Sequence, residues 1–186
     1  MKDLPPERLV YIDESGLEEN GSYRTYGRAP QGEQVLGDVS GKRSTRISLI
    51  AAFNHRQLKA PFRFDGYTNT EVFNLWVQQC LVPTLKPDQL VIMDNARFHK
   101  SVKTQELIAS AHCHVRFLPP YSPDFNPIEP VWAIVKARIR RDRVPQQSFV
   151  GAIDERLKRV KILGNYYSLI GQQEIPWSLI EKLICK

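Results

Sequence analysis

The sequence is poor in cysteine and has no apolar run long enough to cross a membrane. Its three cysteines, Cys80, Cys113 and Cys185, are widely spaced and form no CxxC pair, which favours reduced thiols over a disulfide framework. A membrane-spanning helix needs about 20 consecutive apolar residues. The N-terminal stretch MKDLPPERL has neither the cationic nor the apolar region of a secretory signal. These absences argue against disulfide-rich and membrane-spanning classes, and they predict a cytoplasmic protein without a membrane partner.

What the sequence does contain fits one globular α/β protein with a basic surface. Of its 186 residues, 42% are hydrophobic and 25% are charged, and the net charge is +6. This balance supports a single main domain, and the positive surplus favours a polyanionic partner. Five cations crowd into eight positions near the C-terminal third, interrupted by one acid: Lys136, Arg138, Arg140, Arg141 and Arg143. Such a run is either a solvated helix face or a nucleic-acid contact.

Apolar segments in the first half predict strands followed by a helix. Strands are expected at 9–13, 47–53 and 58–64, as one antiparallel group, with a turn-rich stretch containing Gly16 after the first. The pattern Thr68-x-x-Glu71 is that of a capping box, and apolar residues then recur at helical spacing until Pro83. A helix packed on the sheet is therefore expected.

The second half alternates strands and helices. Leu90–Met93 is typical of a buried strand near the sheet centre, and a helix at 101–111 and a strand at 114–118 should follow. After a proline-rich loop, helical spacing resumes at Pro127; a further amphipathic segment covers 147–160, with a short helix around 177–184. We predict a linker at 1–8, a domain at 9–145, and a C-terminal helical extension of that domain at 146–186.

Three acids stand on three separate predicted elements. Asp13 ends the first strand, Asp94 directly follows the strand Leu90–Met93, and Glu129 begins a helix, with 34 residues between the last two. Carboxylates at the ends of rigid elements suit a divalent cation of the Mg²⁺ type, which prefers oxygen ligands. The alternative is structural, because aspartate after a strand is also a common turn former or helix cap.

Three motifs in order carry a family resemblance over most of the chain, from about Leu9 to Arg143. The strings YIDESG at 11–16, DNARFHKS at 94–101 and FLPPYSPDFNPIEPVWAIVK at 117–136 resemble the catalytic domain of the IS630/Tc1/mariner superfamily of DDE transposases. The resemblance implies a ribonuclease-H-like fold with a mixed five-stranded sheet flanked by helices. By position, Asp13, Asp94 and Glu129 match the family's metal-binding acids, expected to hold two Mg²⁺ or Mn²⁺ ions. The 34-residue gap also matches the family.

The resemblance further implies an activity and partners. Family members cleave double-stranded DNA at transposon ends and join the freed 3′-hydroxyl to target DNA, typically at TA, within a transpososome in which a homodimer is expected. The expected location is the cytoplasm, at the nucleoid. The first acid comes only twelve residues after Met1, so we expect the helix-turn-helix module that recognises inverted repeats to be absent. A separately encoded subunit could then supply that module. Two rival interpretations remain, an inactive truncated remnant and a DNA-binding or assembly subunit that keeps the fold.

Further residues are assigned to the neighbourhood of this site. Glu14 competes with Asp13, since adjacent strand residues point to opposite faces; the motif selects Asp13, and Glu14 is expected to be solvent-facing or salt-bridged. Asn95, His99 and Asn126 recur in the family motifs and are expected near the site. Each could instead only shape a turn or a helix entry.

Helical geometry adds a prediction that is independent of the family. At 100° per residue, Lys136 and Arg140 each lie about 20° from Glu129 around the helix axis, on either side. Trp132 and Val135 point elsewhere, into the core. We therefore predict that Lys136 and Arg140 contact DNA phosphates beside the acids, the alternative being a solvated polar face.

Overall fold

The computed structural model describes residues 4–19, 30–32, 45–120, 125–142 and 147–159. Four sequence predictions concern residues outside these ranges: the helix around 177–184, the middle of the proline-rich loop, Arg143 and Cys185. In the described part of the chain, no helix is long and apolar enough to span a membrane.

A mixed sheet of five strands forms the centre of the fold, as predicted. Its spatial order is β3-β2-β1-β4-β5. The strands are β1 (Leu9–Glu18), β2 (Arg46–Asn54), β3 (Gln57–Asp65), β4 (Leu90–Met93) and β5 (His114–Phe117). The first three pair antiparallel, whereas β4 pairs parallel with β1 and with β5. The central strand is therefore β1, and β4, whose last three residues are buried, lies beside it.

Strand β1 is longer than the sequence predicts. It continues to Glu18 because its antiparallel register with β2 runs on to the pair Glu18↔Arg46. Gly16, expected in a turn, lies inside this strand. A Cβ atom there would come within 2.9 Å of the Arg46 guanidinium, so glycine leaves room for a close approach rather than for a turn.

The first helix, α1 (Thr70–Trp76), begins one residue later than the predicted capping box requires. Its N-cap is Asn69, whose side-chain oxygen accepts a hydrogen bond from the Val72 amide at 2.8 Å. The assignment of Thr68 as the cap is wrong because asparagine is at least as good an N-cap as threonine and stands one position nearer the helix. The helix continues through a π-helical turn, Val77–Leu81, and a 3₁₀ turn, Val82–Thr84.

Three further helices follow: α2 (Val102–Ser110), α3 (Ile128–Asp142) and α4 (Phe149–Arg159). A 3₁₀ turn, Arg97–Lys100, connects β4 to α2. The Ser101 hydroxyl caps α2 by accepting from the Thr104 amide at 3.0 Å. The predicted helices in these three regions are thus present.

Helices cover both faces of the sheet, and each face has its own core. On one face, α1 with Trp76 and α2 with Ile108 pack against Val10 and Ile12. On the other, α3 with Trp132 and α4 pack against Leu17. Because side chains alternate along a strand, Asp13 shares the α3 face with Leu17, whereas Glu14 shares the α1 face with Ile12.

Candidate active site

Strand pairing brings the three predicted acids into one region. Strands β1 and β4 are parallel and pair Tyr11 with Ile92, so two residues further along each strand Asp13 stands beside Asp94. Glu129 lies in the first turn of α3, the helix that packs on the Asp13 face of β1. The fold thus brings the three acids into one region, and their sharing of a metal site stays a prediction.

Electrostatic coupling between the acids reflects this proximity. Burial first, then the negative charges of Glu14 and Glu129, and lastly that of Asp94, raise the pKa of Asp13 to about 7. A carboxyl with such a pKa lies in a region of accumulated negative charge. Asp94 and Glu129 are exposed and Asp13 is half-buried, so the cluster opens to solvent.

The carboxylates are nevertheless spread apart. Among the described residues, no three His, Cys, Asp or Glu side chains come close enough together to enclose a metal ion. Carboxylate oxygens are the donors that a hard divalent cation prefers. Asp13, Asp94 and Glu129 are the residues that could hold one.

A buried histidine fixes one of these acids. The Asp94 Oδ1 atom accepts hydrogen bonds from the Ala96 amide at 2.9 Å and from His99 Nδ1 at 2.7 Å. The bond from His99 is the main reason why the pKa of Asp94 is lowered. His99 is fully buried, whereas the Asp94 side chain is 55% exposed, so a hidden group orients an accessible carboxylate.

The other ring nitrogen of His99 contacts Glu14. His99 Nε2 lies 2.9 Å from Glu14 Oε1. Because both ring nitrogens face carboxylate oxygens, both carry hydrogen and donate. Burial alone would lower the pKa of His99, but the hydrogen bonds to Asp94 and Glu14, together with their charges, raise it to about 9. The imidazolium therefore bridges two acids on neighbouring strands.

This bridge was not predicted from the sequence. Glu14 is salt-bridged, one of the two environments expected for it, and its partner is the motif residue His99. One signal in the sequence bears on this bridge, the alternation of side chains along β1. It places Glu14 on the face opposite Asp13, which is also the face where the segment after β4 lies. Strand alternation places Glu14 on that face but does not identify the histidine that meets it.

The two motif asparagines stand at structural positions. The Asn95 side-chain amide donates to the Leu118 carbonyl and so connects the ends of β4 and β5. The Asn126 carbonyl accepts from the Glu129 amide at 3.2 Å at the start of α3. Asn126 Oδ1 is buried and, within the described ranges, has no hydrogen-bond partner.

Cations lie beside the acids. Burial first, then the charges of Arg140 and Arg46, lower the pKa of Lys136, while the charges of Glu129 and Asp13 oppose this effect. Lys136 is half-buried and Arg140 is exposed. The structure thus places Lys136 near two of the acids and adds Arg46 of β2, which the sequence prediction did not include.

The fold matches solved structures of Mos1 transposase and of BIV integrase. The Mos1 strand transfer complex aligns with a TM-score of 0.66 at 15% identity, covering 86% of this chain and 48% of that one. The Mos1 transposase catalytic domain with raltegravir and Mg aligns at 0.59 and 13%, covering 85% and 72%. The catalytic core of BIV integrase aligns at 0.54 and 12%, covering 86% of each chain. These likenesses establish the ribonuclease-H-like fold.

The structural matches and the sequence matches cover different shares of the compared proteins. The chain spans about half the length of the full Mos1 transposase in the strand transfer complex. No curated protein matches the sequence. A family model described as DDE superfamily endonuclease matches residues 8–149, a range that contains the three acids, Glu14, His99, Lys136 and Arg140. With the sheet order, the acid positions and this match in agreement, the chain belongs to the DDE superfamily endonucleases.

Proposed function

We propose that this chain is the catalytic domain of a Tc1/mariner-type DDE transposase, which cleaves DNA at transposon ends and joins them to target DNA. The observation that supports this most directly is the placement of the three acids: Asp13 lies on the central strand, Asp94 directly follows its parallel neighbour, and Glu129 lies in the first turn of α3. Each acid comes from a different rigid element, which fixes a reactive geometry better than loops would.

We infer that the acids hold divalent cations, Mg²⁺ or Mn²⁺. Mos1 structures are described with Mg and with Mn. In this chain, burial and then the charges of Glu14, Glu129 and Asp94 raise the pKa of Asp13 to about 7, and bound cations would offset the repulsion between these carboxylates. When bound, two such ions would activate the attacking oxygen and stabilise the leaving one in phosphodiester chemistry.

The chain's own side chains have separable tasks in this proposal. The three acids hold the cations, with Asp94 kept in orientation by His99. Lys136 and Arg140 bind the phosphates of the strand beside the acids, as positive charges near a backbone do. The charges of Asp13 and Glu129 both act on the pKa of Lys136, which supports a role for Lys136 in binding the phosphate next to the acids.

The proposed substrate and partners follow from the same comparison. The substrate is double-stranded DNA, both the transposon inverted repeats and a target, with TA as the expected target step. Mos1 is described as a paired-end complex and as a transpososome. We therefore propose a homodimer that brings two ends together at the nucleoid, with a separately encoded helix-turn-helix subunit as a further partner.

Metal-dependent nicking tests the function. The substrate is a supercoiled plasmid carrying the gene with its flanking genomic DNA, incubated with the full chain. We expect nicked and linear products with Mg²⁺ or Mn²⁺ and none with EDTA, measured by gel electrophoresis. DNA binding without nicking under either metal would contradict the proposal and favour a DNA-binding or assembly subunit.

The proposed phosphate contacts predict a change in the salt dependence of binding. Lys136→Ala and Arg140→Ala should each weaken binding to a duplex and together reduce the slope of log affinity against log salt by about 2, since each phosphate contact contributes about 0.9. Fluorescence anisotropy over a salt series measures both quantities.

Arg138 provides the matched control. It is an exposed arginine of the same helix, and it lies about 180° from Glu129 around the axis. Arg138→Ala should leave the salt slope within error of the wild type. Equal slopes for all variants would show that the Lys136 face of α3 does not contact DNA.

A further inference from the structure

We propose that Glu14 and His99 form a positioning pair that presents one oxygen of Asp94 to a bound cation. The inference rests on the proposed function, and it assigns Glu14 a role different from that of the neighbouring Asp13. Glu14 is a positioning residue that acts through the imidazole of His99, not a ligand.

The hydrogen bonds of Asp94 divide its two oxygens. Both described bonds, from the Ala96 amide and from His99 Nδ1, end on Oδ1. Neither uses Oδ2, and the side chain is more than half exposed. Two donors on one oxygen fix the rotation of the carboxylate, so that Oδ2 is the atom left to bind a cation.

His99 can fix this rotation because it is itself held on several sides. Its ring is fully buried, and its centroid lies 4.5 Å from the rings of both Phe73 and Phe98. Its second nitrogen is anchored by Glu14, which belongs to the central strand. The imidazole therefore has a fixed plane and a fixed height relative to Asp94.

The segment that carries His99 is also anchored on its C-terminal side. The Ser101 and Thr104 hydroxyls both donate to the Asn74 side-chain oxygen, at 3.0 and 2.6 Å, and so tie the start of α2 to α1. The 3₁₀ turn holding His99 thus lies between the end of β4 and a capped helix. Outer-shell hydrogen bonds of this kind orient metal ligands, and their loss typically lowers metal affinity by about 10- to 100-fold.

Metal binding tests the proposal without relying on DNA cleavage. The affinity of the purified chain for Mn²⁺ is measured by electron paramagnetic resonance of the free ion. We expect His99→Phe, which keeps a ring between the two phenylalanines, to weaken Mn²⁺ binding by about 10- to 100-fold. Glu14→Gln keeps an oxygen that accepts from Nε2, so its affinity should stay within about 3-fold of the wild type.

A double variant tests whether Glu14 acts through His99. Glu14→Leu should weaken Mn²⁺ binding in the wild-type background but add nothing in the His99→Phe background, because two residues in one pathway are not additive. The double variant also replaces both buried polar partners by apolar ones, which favours folding. Asn54→Leu, a buried polar-to-apolar change at the far end of β2, is the control and should leave Mn²⁺ affinity unchanged.

The outcomes separate this inference from the proposed function. If the wild type binds Mn²⁺ and His99→Phe binds it equally well, or if the two variants are additive, the positioning role is wrong. If Glu14→Gln loses as much affinity as Asp94→Asn, Glu14 is a ligand and the inference is overturned. A wild-type chain that binds no Mn²⁺ would overturn the proposed function itself.

Discussion

Replacing Asp94 with asparagine should lower the rate of metal-dependent DNA nicking by at least about 1,000-fold, equivalent to roughly 4 kcal/mol of transition-state stabilisation. The change removes the charge of Oδ2 while keeping an oxygen that can accept from Ala96 and His99. Asp13→Asn and Glu129→Gln should have losses of similar size, because each acid supplies a separate ligand. Single-turnover nicking at saturating Mn²⁺ measures the effect.

Asp88 supplies the control for these substitutions. It is an exposed aspartate before β4, at the opposite end of that strand from Asp94, and its positive φ of 65° is one that asparagine also tolerates. Asp88→Asn should nick DNA at the wild-type rate. Nicking by Asp94→Asn at the rate of Asp88→Asn would remove Asp94 from the reaction.

The same substitution at Asp13 should stabilise the metal-free protein. The pKa of Asp13 is about 7 in the folded state against an ordinary value of 3.8, so the folded state favours the neutral form. Its contribution to stability is therefore greatest at low pH and is lost as the pH rises from about 4 to about 7. At pH 8 the free energy of unfolding of Asp13→Asn should exceed that of the wild type by about 2 kcal/mol. At pH 4 the two values should be equal.

Urea unfolding in EDTA at both pH values measures this difference. An Asp13→Asn variant that is more stable than the wild type but does not nick DNA would show that the Asp13 carboxylate destabilises the fold and is required for the reaction. A variant less stable than the wild type at pH 8 would contradict the assignment of a raised pKa to Asp13.

Truncating either buried tryptophan should cost about 3–5 kcal/mol of stability, the largest effect expected outside the site. Trp76 and Trp132 are the main side chains of the two cores, at 0% and 2% exposure. Trp132→Ala should also abolish nicking, because Trp132 packs the helix that carries Glu129. Chemical denaturation and the nicking assay together measure the two consequences.

Phenylalanine substitutions should change stability differently at the two tryptophans. Trp76 Nε1 donates to the Ala60 carbonyl at 2.8 Å, whereas Trp132 Nε1 is buried with no partner in the described part of the chain. Trp76→Phe therefore leaves a buried carbonyl unpaired, but Trp132→Phe removes an unpaired donor. We expect Trp132→Phe to be the better tolerated by at least about 1 kcal/mol, and the reverse order would contradict the structure.

Particular residues show which parts of the fold can be predicted from the sequence. Periodicity located the five strands and the helices α1 to α4, because alternation and helical spacing are local properties of the chain. The register was not local: β1 extends to Glu18 only because Arg46 and its neighbours pair with it. The N-cap error at Thr68 had a local origin instead, since the adjacent Asn69 competes for the same role.

The candidate site also has some residues that the local sequence predicts and others that it does not. Motif order and spacing identified Asp13, Asp94 and Glu129, and the helical wheel placed Lys136 beside Glu129. The bond between Glu14 and His99 joins residues far apart in sequence, and neither spacing nor propensity encodes it. The effect of the Arg46 charge on Lys136 is likewise non-local, since it arises only when β2 and α3 pack on β1.

The parallel pairing of β1 with β4 also sets when the site can exist during synthesis. Asp13 and Asp94 are roughly 80 residues apart in the chain, and their pairing requires closure of that whole loop, which makes it a slow, non-local step of folding. The antiparallel strands β1 to β3 can pair earlier, since they are nearer to one another in sequence. An emerging chain therefore carries Asp13 long before Asp94 and Glu129 can join it, which happens only when β4 and α3 have docked.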